Sequence, residues 1–428
     1  MRVAPVALLA LAWVALVGAG TPVTGRVAQL VTDFGLRLFR EAVGRRGDSN
    51  AIFAPHGATA VLAALQLATA GHGRRQLDVA MGFSINDPGM AAELQALRQA
   101  LRGPGHLLAV AEGLFVGRGL VLTPGFVPRF VRTLGPRRLV RVDFQRGEGA
   151  RALLDAWVRE QTQGLIRGLL PPGVLGASTR LVLANALYFK GAWMRPFPPA
   201  ATHPRPFRRA DGSVVTVPMM EQTAKFNYGD FETPGGVPYE VVEVPYGGGA
   251  VAMLLVAPIR RDVPIATLTR LLDARLVTTW VTNMKPVPRV LVLPRFSLET
   301  TWDLRAPLKS LGVRALFDPD AADFTPLSGK GGVGRPWVGV GRTQASWGHP
   351  TPTRAPHPSA EEPLVLGQAL QKVRMEVTEN GTEVASATAA IVYSRMAPLE
   401  ILLDRPFLFL VRHNPTGTIL FVGQVTEP

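Results

Sequence analysis

A segment near the C-terminus has the residue types that let an exposed loop become a strand. Residues 379–395 contain no proline, and after Gly381 almost every residue is small or β-branched. Such residues favour extended backbone, which can pair with a sheet, and successive side chains then face opposite sides. Glu383 falls on one side, whereas the other side carries no charge and comprises Thr382, Val384, Ser386, Thr388, Ala390 and Val392. The segment can therefore enter a sheet without burying a charge.

The same segment ends at Arg395-Met396, a bond suited to a trypsin-like serine protease. Proteases of that type hold an acid at the base of the primary pocket, which pairs with a guanidinium. A serine protease that accepts this arginine would attack its carbonyl carbon and form an acyl-enzyme. The alternative is that Arg395 is an ordinary solvated arginine in a surface loop and has no role in protease recognition. The position of Arg395 at the end of an insertable segment favours the reactive bond.

Residues that would make the chain an enzyme are missing from the sequence. It has no cysteine, which excludes thiol catalysis, sulfur-based metal sites and disulfides. Its seven histidines show no His-Glu-x-x-His spacing, and there is no Gly-x-Ser-x-Gly elbow. We therefore expect no cofactor, no metal and no enzymatic activity.

The formal charge of +14 indicates anionic partners. The densest basic cluster has no interleaved aromatic residues of the kind that single-strand nucleic-acid binders use, so we expect a glycosaminoglycan and no nucleic acid. Ordinary solvated surface is the alternative explanation. The cluster comprises Arg129, Arg132, Arg137, Arg138 and Arg141.

The first 20 residues are typical of a secretory signal peptide. Arg2 precedes an apolar run from Val6 to Val17, and small residues follow it. The run is short for a membrane helix, which needs about 20 apolar residues. We therefore predict a secreted, extracellular protein without membrane insertion, in which residues 21–428 form a single domain.

Hydrophobic spacing separates the chain into a helical first third and a strand-rich remainder. Residues 27–38, 90–101 and 150–161 show helical periodicity, whereas 181–189, 251–256, 290–293, 407–411 and 418–422 are apolar runs of strand length. Residues 329–361 differ from both, with seven Gly and five Pro in 33 residues. We interpret that stretch either as a disordered surface loop or as a retained intron that is not part of the working protein. The second interpretation rests on Gly329-Lys330, which can be encoded by a splice-donor sequence.

Three motifs, in order, resemble the serpin family. Asn50 to Pro55 resembles the start of a helix beneath the central sheet, although Ala54 stands where serine is usual. Asn185 to Trp193 resembles the central strand of sheet A, and Leu403 to Phe409 resembles the C-terminal signature. The resemblance implies an α+β fold with three β-sheets, eight or nine helices and an exposed reactive loop.

The resemblance also implies roles for particular residues. The sheet-opening region would contain Phe53, Pro55, Asn185 and Trp193. The hinge of the reactive loop would contain Glu379, Gly381, Thr382, Glu383, Val384, Ala385 and Ser386. After cleavage at Arg395-Met396 the loop would insert into sheet A and carry the acylated protease with it. Asn380-Gly381-Thr382 is also an acceptor for N-glycosylation, for which we expect little occupancy in active protein.

The C-terminal stretch is most similar to serpins that inhibit plasminogen activators. This similarity makes the urokinase-type and tissue-type enzymes the expected targets and vitronectin a candidate partner.

Heparin binding is either absent or shifted to the cluster around Arg129. The region of the helix at 90–101 lacks basic residues at aligned positions where the family member it resembles has them, and carries Ser84, Pro88, Gln95 and Gln99 instead. A non-inhibitory serpin and a polyanion-binding extracellular protein are the alternatives.

Overall fold

The helical spacing of the first third of the chain forms helices in the computed structural model, which describes residues 23–103, 106–135, 138–329, 364–381 and 398–428. Ten α-helices lie in these ranges, together with two 3-10 turns, and α7 and α10 are single turns of four residues. The bounds are α1 Val23–Val43, α2 Pro55–Ala68, α3 Gly71–Met81, α4 Met90–Ala100, α5 Phe126–Leu134, α6 Gly147–Gln161, α7 Ala266–Thr269, α8 Ala274–Asn283, α9 Arg305–Ser310 and α10 Thr325–Ser328.

All five predicted apolar runs form strands. The strands are β1 Ala51–Phe53, β2 His106–Gly117, β3 Leu139–Val142, β4 Leu181–Gly191, β5 Thr202–Arg208, β6 Val214–Glu232, β7 Pro238–Pro245, β8 Val251–Pro258, β9 Lys285–Pro294, β10 Phe296–Asp303, β11 Gln368–Val377, β12 Glu400–Leu402, β13 Phe407–His413 and β14 Thr418–Val425. A five-stranded sheet has the order β10-β11-β4-β2-β3. A nine-stranded sheet has the order β1-β14-β13-β8-β7-β6-β9-β12, with β5 paired to β6.

Continuous hydrogen bonding joins the described strands into two sheets, although the resemblance implied three. The reason is the length of β6, which has 19 residues. Its first part pairs with β5 through residues 214–220, and its last part pairs with β7 through residues 227–232. One strand therefore connects what would otherwise be separate ladders. The predicted α+β class is confirmed.

The central strands of the five-stranded sheet are covered on both faces. All 14 residues of α2 are buried, and they pack with Leu183 and Leu187 on one face of β4. On the opposite face, Leu154 and Val158 of α6 pack against β2 and β4 in a second apolar cluster. Coverage on two faces explains why β4 is a continuous apolar run rather than an alternating one.

None of the helices in the described part of the chain is long and apolar enough to cross a membrane.

His56, the second residue of α2, is a titratable group enclosed by the fold. It is 7% exposed, and its Nδ1 has no hydrogen-bond partner among the described residues. Burial lowers the pKa of His56 to about 4; Glu112 partly opposes this, whereas Arg98 and Arg138 add to it. The folded protein therefore keeps His56 neutral at pH values where an unfolded chain, with a pKa near 6.5, binds a proton. His56 therefore leaves the folding stability unchanged above pH 6.5 and lowers it increasingly as the pH falls toward 4.

We predict that His56→Gln removes part of this pH dependence. Between pH 7.5 and pH 4.5, the free energy of unfolding in urea should fall by about 2.5 kcal/mol more in the parent protein than in the variant. His72→Gln is the matched control, because His72 is exposed and its ring hydrogen-bonds to the side chain of Gln76, one turn along the same helix. Equal pH dependence in the parent and in His56→Gln would contradict the prediction.

We further predict that deleting residues 329–361 leaves folding intact. The flanks are held by contacts that do not involve the insert: the Leu366 N–H donates to the Leu316 carbonyl at 2.9 Å, and the Ser328 hydroxyl donates to the Val121 carbonyl at 2.9 Å. Closing a shorter loop costs slightly less entropy. The thermal unfolding midpoint should therefore be equal or higher, and a fall of several degrees would mean that the insert belongs to the fold.

Candidate functional site

The centre of the five-stranded sheet is a parallel seam between β4 and β11. The two strands pair from Val182 opposite Gln368 to Phe189 opposite Met375. Their other neighbours, β2 and β10, pair with them in the antiparallel sense. Parallel pairing is slightly weaker per residue than antiparallel pairing. The β4/β11 seam is therefore a weak line between stronger ladders.

Two fully buried amides join the strands across this seam. Gln371 on β11 donates from Nε2 to Oδ1 of Asn185 on β4 at 2.8 Å. The Gln371 side chain also donates to the Ala54 carbonyl and accepts from the Ala54 N–H, both at 3.0 Å. The start of α2 is thus tied to both strands. Asn185 was predicted from the sequence, but Gln371 was not, because one glutamine in a strand resembles an ordinary solvent-facing residue.

The close approach of α2 to the seam requires a glycine. A Cβ on Gly57 would collide with the side chains of Asn185 and Leu187. Pro55 occupies the first turn of the same helix, where its missing N–H is not needed. Phe53 lies farther from the seam, in an edge-to-face contact with Trp302 of β10 at 5.9 Å between ring centroids. Of the predicted sheet-opening residues, Asn185 makes a side-chain hydrogen bond between the paired residues of β4 and β11.

Trp193 lies at the upper end of the seam and binds the start of the predicted hinge. Its ring stacks on Tyr246 with centroids 4.4 Å apart, and its Nε1 donates to the Thr378 carbonyl at 2.9 Å. The Trp193 N–H donates to the Asn380 carbonyl at 3.3 Å. The hinge therefore begins against the end of β4, not in open solvent.

Glu379 and Gly381 fix the shape of the hinge. The Glu379 carboxylate accepts from the Thr202 hydroxyl at 2.9 Å and lies 3.4 Å from Arg295. Gly381 has φ +69, and a Cβ there would collide with the backbone of residues 191–193. Thr202 is the first residue of β5 and Arg295 lies between β9 and β10. Both are far from Glu379 in the sequence, so the sequence could not identify them as partners.

The remaining residues of the predicted reactive loop lie outside the described residues. They are Thr382, Glu383, Val384, Ala385, Ser386, Arg395 and Met396. Beyond them the chain re-enters the nine-stranded sheet at β12, which pairs in parallel with β9.

The predicted basic cluster divides into two groups. Arg129, Arg132 and Arg141 are exposed, and Arg141 donates to the carbonyls of Arg118 and Leu120. Arg138 instead turns inward and pairs with buried Glu112 on β2. Arg137 lies outside the described residues.

Comparison with known proteins gives the family. Residues 29–428 match the family described as Serpin (serine protease inhibitor). Plasminogen activator inhibitor 1 of Sus scrofa is 46% identical over 403 residues, covering 94% of this chain and 92% of that protein. The Bos taurus protein of the same name is 44% identical over 434 residues, covering all of both chains.

A solved structure agrees with this assignment. The crystal structure of native protease nexin-1 with heparin matches with a TM-score of 0.82 and 30% identity, covering 95% of this chain and 100% of that one. The chain therefore belongs to the serpin family, whose members named here are protease inhibitors and not enzymes.

Proposed function

We propose that this serpin is a secreted suicide-substrate inhibitor of trypsin-like serine proteases, specifically the urokinase-type and tissue-type plasminogen activators. The protease cleaves after Arg395, and the cut segment then inserts between β4 and β11. The observation that carries the proposal is the direct parallel pairing of these strands, with the hinge held at their upper end.

The direction of the strands favours insertion. β4 and β11 run parallel, and after β11 the chain turns through Thr378 to Gly381, where the Gly381 N–H donates to the Thr378 carbonyl at 3.1 Å. A segment that folds back from this turn runs antiparallel to both strands. One parallel ladder is then replaced by two antiparallel ladders.

The chain has enough length and enough driving force for this step. Residues 382–395 would span roughly 45 Å as a strand, at about 3.3 Å per residue. A net contribution of about 0.5–1.5 kcal/mol per hydrogen bond amounts to on the order of ten kcal/mol for a full ladder. That is comparable to the stability of a whole domain.

The covalent step follows the ordinary protease reaction. The protease serine oxygen bonds to the Arg395 carbonyl carbon, the bond to the Met396 nitrogen breaks, and the new amino terminus leaves with a proton. The resulting ester would be hydrolysed by water in a substrate. If insertion is faster than hydrolysis, it displaces the protease and distorts the protease's active site. The ester is then not hydrolysed, and the complex stays covalent.

The choice of targets rests on Arg395 and on the named relatives. An arginine before the cleaved bond suits a primary pocket with an acid at its base. Relatives at 44–46% identity are named plasminogen activator inhibitor 1, which supports the plasminogen activators as targets. The signal-like residues 1–20 support secretion.

A glycosaminoglycan is the second proposed partner, at exposed Arg129, Arg132 and Arg141. The heparin in the solved protease nexin-1 structure supports this choice. Vitronectin remains a candidate from the sequence resemblance alone.

We predict that the protein forms a covalent complex with both plasminogen activators. Incubation and a denaturing gel should give a band near the summed masses, and sequencing the released fragment should give Met396 as its first residue. Arg395→Ala should lose the band, because the guanidinium that enters the primary pocket is gone. Cleavage of the parent protein without a higher-mass band would instead favour a non-inhibitory serpin.

We predict that Thr382→Arg converts the inhibitor into a substrate. Thr382 lies in the uncharged set of the loop, so arginine there would place a charge inside the sheet at the start of insertion. Glu383→Arg is the matched control, because it introduces the same side chain into the opposite set. The ratio of cleaved protein to complex should rise at least tenfold in Thr382→Arg and much less in Glu383→Arg. Equal ratios in the two variants would refute insertion along this face.

A further inference from the structure

The turn at residues 378–381 contains two neighbouring residues that can react with each other without an enzyme. Of the seven asparagines in the sequence, Asn380 is the one that a glycine follows. The backbone nitrogen of Gly381 can attack the side-chain amide carbon of Asn380, because glycine has no Cβ to crowd the approach. Each of the other six asparagines precedes a residue that carries a Cβ. The most reactive asparagine of the chain therefore stands at the start of the hinge.

The structure explains why a glycine has to follow Asn380. Gly381 has φ +69, and a Cβ there would collide with the Gly191 carbonyl oxygen and the Trp193 nitrogen. A residue with a side chain would be strained in this conformation even where space allowed it. The chain therefore cannot lower the reactivity of Asn380 by replacing the glycine. Protection of Asn380 has to come from the conformation of the turn.

Hydrogen bonds within the turn restrain the nitrogen that would react. The Gly381 N–H donates to the Thr378 carbonyl at 3.1 Å, and the Thr378 hydroxyl donates to the Gly381 carbonyl at 2.9 Å. The Asn380 carbonyl accepts from the Trp193 N–H at 3.3 Å, which is long for such a bond. The reaction requires the Gly381 nitrogen to lose its proton and to approach the Asn380 side chain. It therefore requires the turn to open.

We propose that Asn380 is a deamidation site and that opening of the turn at residues 378–381 sets the rate of its reaction. The Gly381 nitrogen loses its proton and bonds to the amide carbon of Asn380, and the side-chain nitrogen takes up a proton and leaves as ammonia. Water then opens the cyclic imide at either of its carbonyls. The products are aspartate and isoaspartate, in which the main chain runs through the former side chain. The net reaction consumes one water and releases one ammonia.

Both products alter the contacts of the hinge. Aspartate adds a carboxylate next to Glu379, whose own carboxylate accepts from the Thr202 hydroxyl at 2.9 Å and lies 3.4 Å from Arg295. Two carboxylates that share one counter-charge repel each other. Isoaspartate adds a methylene group to the main chain, which moves Gly381 out of a space that fits only glycine. We expect both products to impair loop insertion, an expectation that rests on the proposed function.

The test is peptide mapping of protein made in bacteria, which leaves Asn380 without a glycan, after incubation at mildly alkaline pH. Trypsin releases residues 375–395 as one peptide, in which Asn380 is the only side-chain amide, so a change from amide to acid mass is assigned to it. The peptide of residues 276–289 is the matched control, because exposed Asn283 is its only side-chain amide and precedes Met284. We expect the acid form to accumulate faster at Asn380 than at Asn283.

Two substitutions of Thr378 test whether the turn controls the rate. Thr378→Val removes the hydroxyl that donates to the Gly381 carbonyl and keeps the branched shape, so the rate at Asn380 should rise about fivefold, as expected for one lost hydrogen bond. Thr378→Ser keeps the hydroxyl, so the rate should stay within about twofold of the parent rate. Unfolding in urea should raise the rate at Asn380 by at least about tenfold, because all bonds of the turn are then broken.

Three results would each overturn the proposal. They are a rate at Asn380 that does not exceed the rate at Asn283, a rate at Asn380 that is unchanged by urea, and equal rates in Thr378→Val and Thr378→Ser. Asn380→Gln checks the assignment, because its longer side chain cannot close the same ring. A mass change in the 375–395 peptide of Asn380→Gln would also contradict the proposed chemistry.

The effect on the hinge is measured separately, on aged protein that has been separated by charge. The fractions with amide and with acid at Asn380 are each incubated with urokinase-type plasminogen activator. A higher ratio of cleaved protein to covalent complex in the acid fraction supports the expected impairment, and equal ratios refute it. If neither fraction forms a complex, the proposed inhibition fails, whereas the mass measurements at Asn380 decide the deamidation site independently.

Discussion

The pairing of β4 with β11 is the contact on which the rest of the structure depends. It places two parallel strands side by side at the centre of a sheet whose central strands are covered on both faces. The amides of Asn185 and Gln371 cross the seam, and the same Gln371 side chain holds the first backbone groups at the start of α2. Separation of the strands therefore has to release the helix as well.

Polar groups at the seam are compatible with the strand separation that the proposed insertion requires. Asn185 and Gln371 are fully buried, so their hydrogen bonds must be made in any stable arrangement. Each bond is worth only about 1 kcal/mol net, because water or a new strand can replace the partner. If interlocked apolar side chains joined the strands instead, separation would break close packing that an inserted strand could not reproduce. The hydrogen bonds of Asn185 and Gln371 therefore fix the register of β4 and β11 but add little free energy to holding the two strands together.

The C-terminal signature has a structural explanation. Arg405 is buried, and it donates to the carbonyls of Pro258 and Leu402 at 2.8 Å each and lies 3.4 Å from Glu240. Burial raises the pKa of Glu240, and Arg405 is the main opposing influence. The motif thus ties the chain that follows the reactive loop to β7 and β8, so the return end of the loop has a fixed anchor.

The sequence by itself determined three helical and five strand segments, because helical and strand periodicities are local and buried strands are continuously apolar. The insertable segment stays a prediction, because residues 382–395 lie outside the described part of the chain. Asn185 and Trp193 were also identified, through motifs that resemble a known family. Tertiary structure decided the rest. The pairing of Gln371 with Asn185 depends on two strands 186 residues apart. Arg138 looked like part of a surface cluster, but it turns inward because Glu112 on a neighbouring strand is buried and requires a counter-charge. The hydrophobic periodicity of the sequence predicts helices and strands because it is local. The partner of each buried polar group depends on which strands and helices pack together, and the local sequence does not contain that information.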